Sequence, residues 1–174
     1  MLHSVILIPT PLADPVIGTW RKQYDRVALH GIPSHITLLF PFKEPSKIPQ
    51  KVIRKLKVLF SNIKQFSFSL EKVNTFPNVV FLEPNSREKF IVLTEKIVDM
   101  FPENPPWEGK FPSIHPHATI ANIGDSKITD SLKVKIEADI SNKLPIHCIA
   151  KEAWLLAEDE NGEWHIQTKF PFHS

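Results

Sequence analysis

Proline placement constrains the fold of this chain more than any other feature of its sequence. The 174 residues include sixteen prolines but only five glycines. Proline has no amide hydrogen for a sheet ladder and it ends helices, so each proline cluster predicts the boundary of an element. The clusters are Pro9 with Pro11, Pro41 with Pro45, Pro102–Pro106, Pro112 with Pro116, and Pro171.

The apolar pattern between these boundaries predicts strands alternating with helices. Strands are expected at residues 4–9, 35–42, 66–76, 78–84, 115–123, 146–159 and 163–172, and helices at 13–25, 49–63, 86–101 and 129–144. The order is β-α-β-α-β, followed by β-α-β-α-ββ. We therefore predict a single domain over residues 1–174, in which pseudo-repeat halves of approximately 1–77 and 78–174 pack as two lobes.

The composition is that of a soluble globular protein, with 42% apolar and 23% charged residues. A net charge of +2 gives no general field for polyanions, so a nucleotide or nucleic acid would need a local patch. Cys148 is the single cysteine, which excludes an internal disulfide and a cysteine-rich zinc site. Residues 1–15 do not read as a signal peptide, and no apolar run is long enough for a membrane helix. We expect a cytoplasmic protein.

A His-x-Thr-apolar string occurs twice, in SHITLLFPF (residues 34–42) and in PHATIANI (residues 116–123). Each string lies on a predicted strand that follows a strand and a helix. Side chains alternate across a strand, so His35 shares a face with Thr37, and His117 shares a face with Thr119. The question is whether these are ordinary strand residues or two halves of one site.

The same alternation assigns the apolar neighbours of the two motifs. Leu39 and Ala121 are expected on the faces that carry the histidines. The opposite faces are expected to pack on helices, and they carry Ile36, Leu38 and Phe40 in the first motif and Ala118 and Ile120 in the second.

If both polar faces line one cleft, two imidazoles can flank a single phosphate. One neutral imidazole would remove a proton from the attacking water or hydroxyl, and one protonated imidazole would donate to the leaving oxygen. The threonine hydroxyls can donate hydrogen bonds to the non-bridging oxygens as charge develops there. This chemistry requires neither a metal nor another cofactor.

The strings HITL and HATI resemble the paired signature of the 2H (two-histidine) phosphoesterase superfamily, also called the 2′-5′ RNA ligase family. The stretch GIPSHITLLFPF (residues 31–42) is similar to its bacterial members in particular. The resemblance implies a bilobal α+β fold, with an antiparallel sheet flanked by helices in each pseudo-symmetric half and a cleft between them. It also implies a catalytic set of His35, Thr37, His117 and Thr119.

The activity that the resemblance implies is metal-independent cleavage of 2′,3′-cyclic phosphate or 2′-5′ phosphodiester linkages in RNA ends or nucleotides. His117 is expected to act as base and His35 as acid in cyclic-phosphate hydrolysis, with the roles exchanged in the reverse direction. Some relatives catalyse that reverse reaction, ligation. The other hypotheses are a non-catalytic RNA- or nucleotide-binding module and a metal-dependent hydrolase. We expect a monomer that binds an RNA terminus or a small nucleotide and no membrane.

Five further residues are candidates for substrate binding. Lys43 follows the first motif and could meet a phosphate, Arg21 could meet another, and Tyr24 could stack on a base. Trp107, in the proline-rich loop before the second motif, is placed to act as a lid. His115 could line the rim of the cleft. His115 and His117 could also chelate zinc or copper, but a site would need further ligands and no other cluster is visible, so we expect no metal.

A basic run follows the first motif. We interpret it as the solvated face of a helix, with Lys43 as the exception. Its members are Lys43, Lys47, Lys51, Arg54, Lys55 and Lys57.

Overall fold

The structure is a computed structural model that describes residues 2–124 and 126–174. Its strands are β1 (Ser4–Pro9), β2 (His35–Leu39), β3 (Phe66–Phe76), β4 (Val79–Pro84), β5 (Ala118–Asn122), β6 (Ile146–Ala150), β7 (Glu152–Glu158) and β8 (Trp164–Pro171). Its helices are α1 (Asp14–Tyr24), the single turn α2 (Arg26–Leu29), α3 (Gln50–Ser61), α4 (Arg87–Met100) and α5 (Thr129–Ile140). The predicted helices and all but one of the predicted strands are found within a few residues of their expected bounds.

The eight strands form one antiparallel sheet in the order β6-β3-β4-β5-β2-β1-β7-β8. The two strands that carry the His-x-Thr motifs, β2 and β5, are neighbours at its centre. Four strands lie on each side of the boundary between them. The α+β class and the antiparallel sheet are confirmed.

The strand groups do not follow the two halves of the sequence. Strand β3, from residues 1–77, pairs with β4 and β6, while β7 and β8, from residues 78–174, extend the sheet beyond β1. Each group of four therefore draws strands from both sides of residue 77. The order of strands in the sequence could not predict this mixing of the two halves, because the apolar pattern of a strand does not identify the strand it pairs with.

Lys151 shows that the sheet is curled. This one residue separates β6, at one edge of the sheet, from β7, which is second from the other edge. A residue spans at most about 3.6 Å, so the two margins must approach each other. The amide of Phe172 donates to the Lys151 carbonyl, and the bridge between Lys64 and His173 joins the same margins. The predicted single strand over residues 146–159 is therefore wrong, because the chain changes strand group at Lys151.

Four helices cover one face of the sheet. Helix α1 packs on β5, α3 on β8, α4 on β2, and α5 on β3 and β4. Ile36, Leu38, Ala118 and Ile120 are buried in the core between sheet and helices. The opposite face carries a smaller apolar cluster that includes Leu7. No helix among the described residues is long and apolar enough to cross a membrane.

Both motif strands contain the same irregularity one residue after the threonine. In β2, Thr37 pairs with Leu7 and Leu39 pairs with Ile6, so Leu38 is an extra residue. In β5, Thr119 pairs with Phe81 and Ala121 pairs with Val80, so Ile120 is the extra residue. An extra residue reverses the alternation beyond it.

The irregularity corrects the predicted faces of the residues that follow each threonine. Leu39 and Ala121 are buried in the helix-covered core, although strict alternation placed them beside the histidines. Phe40 was expected on the helix-covered face, but it packs against the smaller cluster on the other face. The sequence contains no proline or glycine at these points to signal the change.

Candidate active site

The register between β2 and β5 brings the two motifs together. Ile36 pairs with Ala118 in antiparallel orientation. Continued by one residue in each direction, this register places His35 opposite Thr119 and Thr37 opposite His117. Ile36 and Ala118 are fully buried on the helix side, so all four polar side chains lie on the other side, which we call the HxT face.

The same register fixes the approximate spacing of the two histidines. Residues directly opposite across an antiparallel pair have Cβ atoms about 5 Å apart, and diagonal neighbours lie at about 7 Å. His35 and His117 are diagonal neighbours. This spacing suits two imidazoles that contact different oxygens of one tetrahedral phosphate.

Both histidines are held in the same tautomer. His35 Nδ1 lies 2.7 Å from the carbonyl oxygen of Pro33, and His117 Nδ1 lies 2.7 Å from the carbonyl oxygen of His115. A carbonyl oxygen only accepts, so each Nδ1 carries the hydrogen and each Nε2 has a free lone pair. Within residues 2–124 and 126–174, neither Nε2 makes a hydrogen bond.

The surroundings favour the neutral form of both rings. The pKa of His35 is lowered to about 4, mainly by burial and to a smaller extent by the charges of Arg21 and His117, while the hydrogen bond to Pro33 acts to raise it. Burial also lowers the pKa of His117, and the charge of His115 adds to that effect. Without an anion, both Nε2 atoms are therefore proton acceptors at neutral pH.

The two threonines differ in their neighbours on the HxT face. Thr37 lies beside Leu7 of β1, and Thr119 lies beside Phe81 of β4. Both threonines are half-buried, and their hydroxyls bond no other described residue. Each hydroxyl can therefore donate to an oxygen of a bound anion.

Two phenylalanine rings fix the orientation of His117. Its ring centroid lies 5.2 Å from that of Phe76 and 5.1 Å from that of Phe81. The ring of His115 packs against the same two phenylalanines, at 5.0 and 5.6 Å. The rings of His115 and His117 thus pack against the same pair of phenylalanines.

His115 lies beside this site, with its side chain partly buried. Its Nε2 is 3.5 Å from Glu83 Oε1, without hydrogen-bond geometry. Among the described residues, no group of three or more His, Cys, Asp or Glu could hold a metal ion. The absence of a metal in the reaction stays a prediction.

Trp107 lies where the first motif strand ends. Its amide donates to the carbonyl of Phe40 at 2.6 Å, and the two ring centroids are 5.2 Å apart. Trp107 has a φ of 52°, a left-handed conformation that is rare for a bulky residue. The loop before β5 is thus attached to the end of β2, with the indole 39% exposed.

Lys43 is directed away from the HxT face. Its Nζ donates to Glu103 Oε1 at 2.5 Å and to Asn104 Oδ1 at 2.6 Å. Its ammonium also lies 5.3 Å from the ring centroids of Phe42 and Phe101. These bonds tie the chain after β2 to the loop after α4, so a role in substrate binding stays a prediction that needs a rearrangement.

Arg21 and Tyr24 lie on the helix side rather than on the HxT face. Arg21 is 3% exposed and makes two hydrogen bonds to Asp25, at 2.9 and 3.1 Å. It also donates to the carbonyl of Ile32, just before the first motif, so it supports the approach to His35. Tyr24 packs against Trp20 and lines a groove of about 550 Å³ at the end of β5.

The structure places further residues beside the site that the sequence pattern did not indicate. Leu7 pairs with both Thr37 and Trp154, and Trp154 pairs with Lys169 at the edge of the sheet. The Lys169 ammonium lies 4.6 Å from the Trp154 ring, and the Trp154 indole donates to Glu152 at 2.7 Å. Nothing in the sequences of β7 and β8 shows that they join the group of the first motif.

Two grooves on the described surface do not contain the motif residues. One is the 550 Å³ groove beside Tyr24, and the other, of about 530 Å³, lies between α3 and the end of α4. The histidines and threonines instead lie half-buried on the HxT face, where the register between β2 and β5 brings them together.

The curled antiparallel sheet, with helices on one face and paired His-x-Thr strands at its centre, defines an α+β protein of the two-histidine class. The family model described as 2′-5′ RNA ligase superfamily matches residues 8–162. The chain therefore belongs to the 2′-5′ RNA ligase superfamily of 2H phosphoesterases, and the family expected from the paired motifs is confirmed.

Relatives that match nearly the full chain agree with this assignment. A Bacillus licheniformis protein named "putative phosphoesterase" is 28% identical over 175 residues, covering 98% of each chain. A Bacillus pumilus protein of the same name is 26% identical, covering 98% of this chain and 96% of its own. These relatives and the family support an enzyme that acts on phosphoesters.

The fold is similar to those of solved bacterial structures. E. coli LigT complexed with 3′-AMP superposes with a TM-score of 0.66 at 15% identity, covering 99% of both chains. A Thermus thermophilus protein gives 0.62 at 16% identity, covering 97% of both. At this identity the likeness shows the fold alone.

Proposed function

We propose that this chain hydrolyses 2′,3′-cyclic phosphate or 2′-5′ phosphodiester linkages in RNA ends or nucleotides, without a metal. The observation that carries the proposal is the pairing of Ile36 with Ala118, which sets each histidine opposite the threonine of the other motif. The shared tautomer of His35 and His117 supports it, since it leaves both Nε2 atoms available. LigT has been solved with 3′-AMP, NADP+, ATP and phosphate, which supports a nucleotide ligand here.

In the proposed reaction, His117 Nε2 removes a proton from a water that attacks phosphorus. The new P–O bond forms as the bond from phosphorus to the leaving ribose oxygen breaks. His35, protonated once the anionic substrate is bound, donates its Nε2 proton to that oxygen. Thr37 and Thr119 donate to the non-bridging oxygens. The reaction ends with His117 protonated and His35 neutral, and exchanged roles give the reverse reaction.

The test is turnover by chelator-treated protein of three substrates: RNA ending in a 2′,3′-cyclic phosphate, a 2′-5′-linked oligonucleotide and a small cyclic nucleotide. We expect His35→Ala and His117→Ala each to lower kcat by about 10²-fold or more. Thr37→Val and Thr119→Val keep the side-chain volume, and each should lower kcat by roughly 10²-fold. His147→Ala removes an exposed strand histidine and should keep full activity.

Three outcomes would contradict the proposal. If no substrate is turned over but the histidine variants lose nucleotide affinity, the chain is a binding module. If activity disappears with the chelator and returns with a metal, the reaction is metal-dependent. If only joining of RNA ends is observed, the chain is a ligase.

A further inference from the structure

Helix α3 carries a basic stripe and contains no acidic residue of its own. Its sequence, QKVIRKLKVLFS, contains four basic residues and no Asp or Glu. Val52, Leu56 and Phe60 are buried, which leaves Lys51, Arg54 and Lys55 exposed. None of these three makes an ion pair or hydrogen bond to a carboxylate of the described residues, unlike Lys133 of α5, which bonds Glu137 at 2.9 Å.

The stripe borders a groove with an apolar component. The groove, of about 530 Å³, is lined by Lys51, Arg54, Lys55, Val58 and Met100, and we call it the basic groove. Val58 is 64% exposed, so it presents an apolar side chain beside the three cations. Cations beside exposed apolar side chains suit a phosphate chain that also presents riboses and bases.

Aromatic contacts connect the basic groove to the end of the first motif strand. The ammonium groups of Lys55 and Lys43 lie 5.9 and 5.3 Å from the ring centroid of Phe101. Lys43 is six residues beyond Thr37, which corresponds to at most about 20 Å of extended chain. Phe40 and Trp107 lie along this path at the end of β2. The basic groove on the helix side is thus linked to the HxT face on the other side of the sheet through the residues that follow the end of β2.

Near the end of β2, the cations that remain available to bind an anion are those that line the basic groove. Lys43 is already bonded to Glu103 and Asn104. The hydrogen bond from Lys43, and to a smaller extent the charge of Lys55, lowers the pKa of Glu103. Glu103 thus balances one cation, and Lys51 and Arg54 have no comparable acidic neighbour among the described residues.

From these contacts we infer that the basic groove binds the phosphate backbone of single-stranded RNA whose end lies at the HxT face. The substrate class is then an RNA several nucleotides long rather than a free mononucleotide. The inference rests on the proposed function for the reaction at the RNA end, but RNA binding in the groove is measured separately. It adds a binding role to a run whose helix residues are exposed, as the sequence predicts.

The test compares two triple variants with equal loss of charge. The groove variant is Lys51→Gln, Arg54→Gln, Lys55→Gln. The control is Lys22→Gln, Lys135→Gln, Lys143→Gln, which removes three exposed lysines from other parts of the surface. Fluorescence anisotropy would follow binding of a labelled RNA of about ten nucleotides. We expect the groove variant to bind roughly tenfold or more weakly than the control, with a salt slope smaller by about 2.

A kinetic comparison separates this inference from the proposed function. With wild-type activity established, the groove variant should lose kcat/KM on the ten-nucleotide RNA bearing a 2′,3′-cyclic phosphate end, and keep it on a mononucleotide 2′,3′-cyclic phosphate. Absence of wild-type turnover on both substrates would contradict the proposed function alone, because anisotropy still reports the groove. Equal RNA affinity of the two triple variants would overturn the inference. Circular dichroism of all variants checks that they are folded. The single variant Arg54→Gln tests the groove with a smaller change to the protein.

Discussion

At the scale of single residues, the site combines two neutral histidines with a place for an anion. Burial holds the pKa of His35 at about 4, so this ring is neutral in the free protein at pH 7. A tetrahedral anion beside Nε2 favours the protonated ring and raises this pKa. Substrate binding and protonation of the acid are therefore coupled.

This coupling predicts proton uptake when an anion binds. Sulfate is a suitable probe, since it does not titrate near neutral pH. Calorimetry at pH 6–7 in buffers of different ionisation enthalpy should show uptake of up to about one proton per site, and affinity should weaken as pH rises. His35→Asn should reduce this uptake. The same uptake in wild type and variant would contradict the assignment of His35.

At the scale of elements, a buried ion pair supports the strand that carries His35. Arg21 of α1 bonds Asp25 and the carbonyl of Ile32, and Asp14 accepts from the amide of Ser34. Burial raises the pKa of Asp25, although Arg21 opposes this. Helix α1 and the segment before β2 are thus joined by hydrogen bonds, of which those between Arg21 and Asp25 are buried.

Removing one partner of the Arg21–Asp25 pair should destabilise the folded protein. We expect Arg21→Met to lower the free energy of unfolding by about 3–5 kcal/mol, because Asp25 is left buried and unpaired. Lys22→Met changes the exposed neighbour and should have little effect. Urea unfolding measures both, and the double variant Arg21→Met, Asp25→Leu should recover much of the loss. An effect of Arg21→Met no larger than that of Lys22→Met would contradict this account.

At the scale of the whole molecule, one continuous sheet joins the two strand groups at β2 and β5 and brings its margins together near Lys151. Phe170 of β8 is fully buried and stacks on Phe60 of α3 at 5.4 Å. Neither group is independent of the other, because each contains strands from both halves of the sequence.

The molecule should therefore unfold in a single transition. Phe170→Ala should lower the free energy of unfolding by about 3–5 kcal/mol. It should shift the far-ultraviolet circular dichroism and tryptophan fluorescence midpoints equally. Ile166→Ala, at a 45% exposed position of the same strand, should change stability little. Two separated transitions, or a shift in only one signal, would show that the strand groups unfold independently.

The sequence by itself determined the elements and the residues that carry the motif chemistry. Prolines and apolar periodicity are local signals, so the bounds of β1 and β3 could be predicted as they are observed. The two His-x-Thr strings were sufficient to indicate the family, because they resemble its paired signature.

Only the tertiary structure decided which strands are neighbours and where each polar side chain lies. The pairing of β2 with β5, the extra residues Leu38 and Ile120, and the break at Lys151 depend on contacts between residues far apart in sequence. Arg21 and Lys43 resembled phosphate ligands because charge is visible in a sequence. Their acidic partners, Asp25 and Glu103, are recognisable as partners only once the chain has folded.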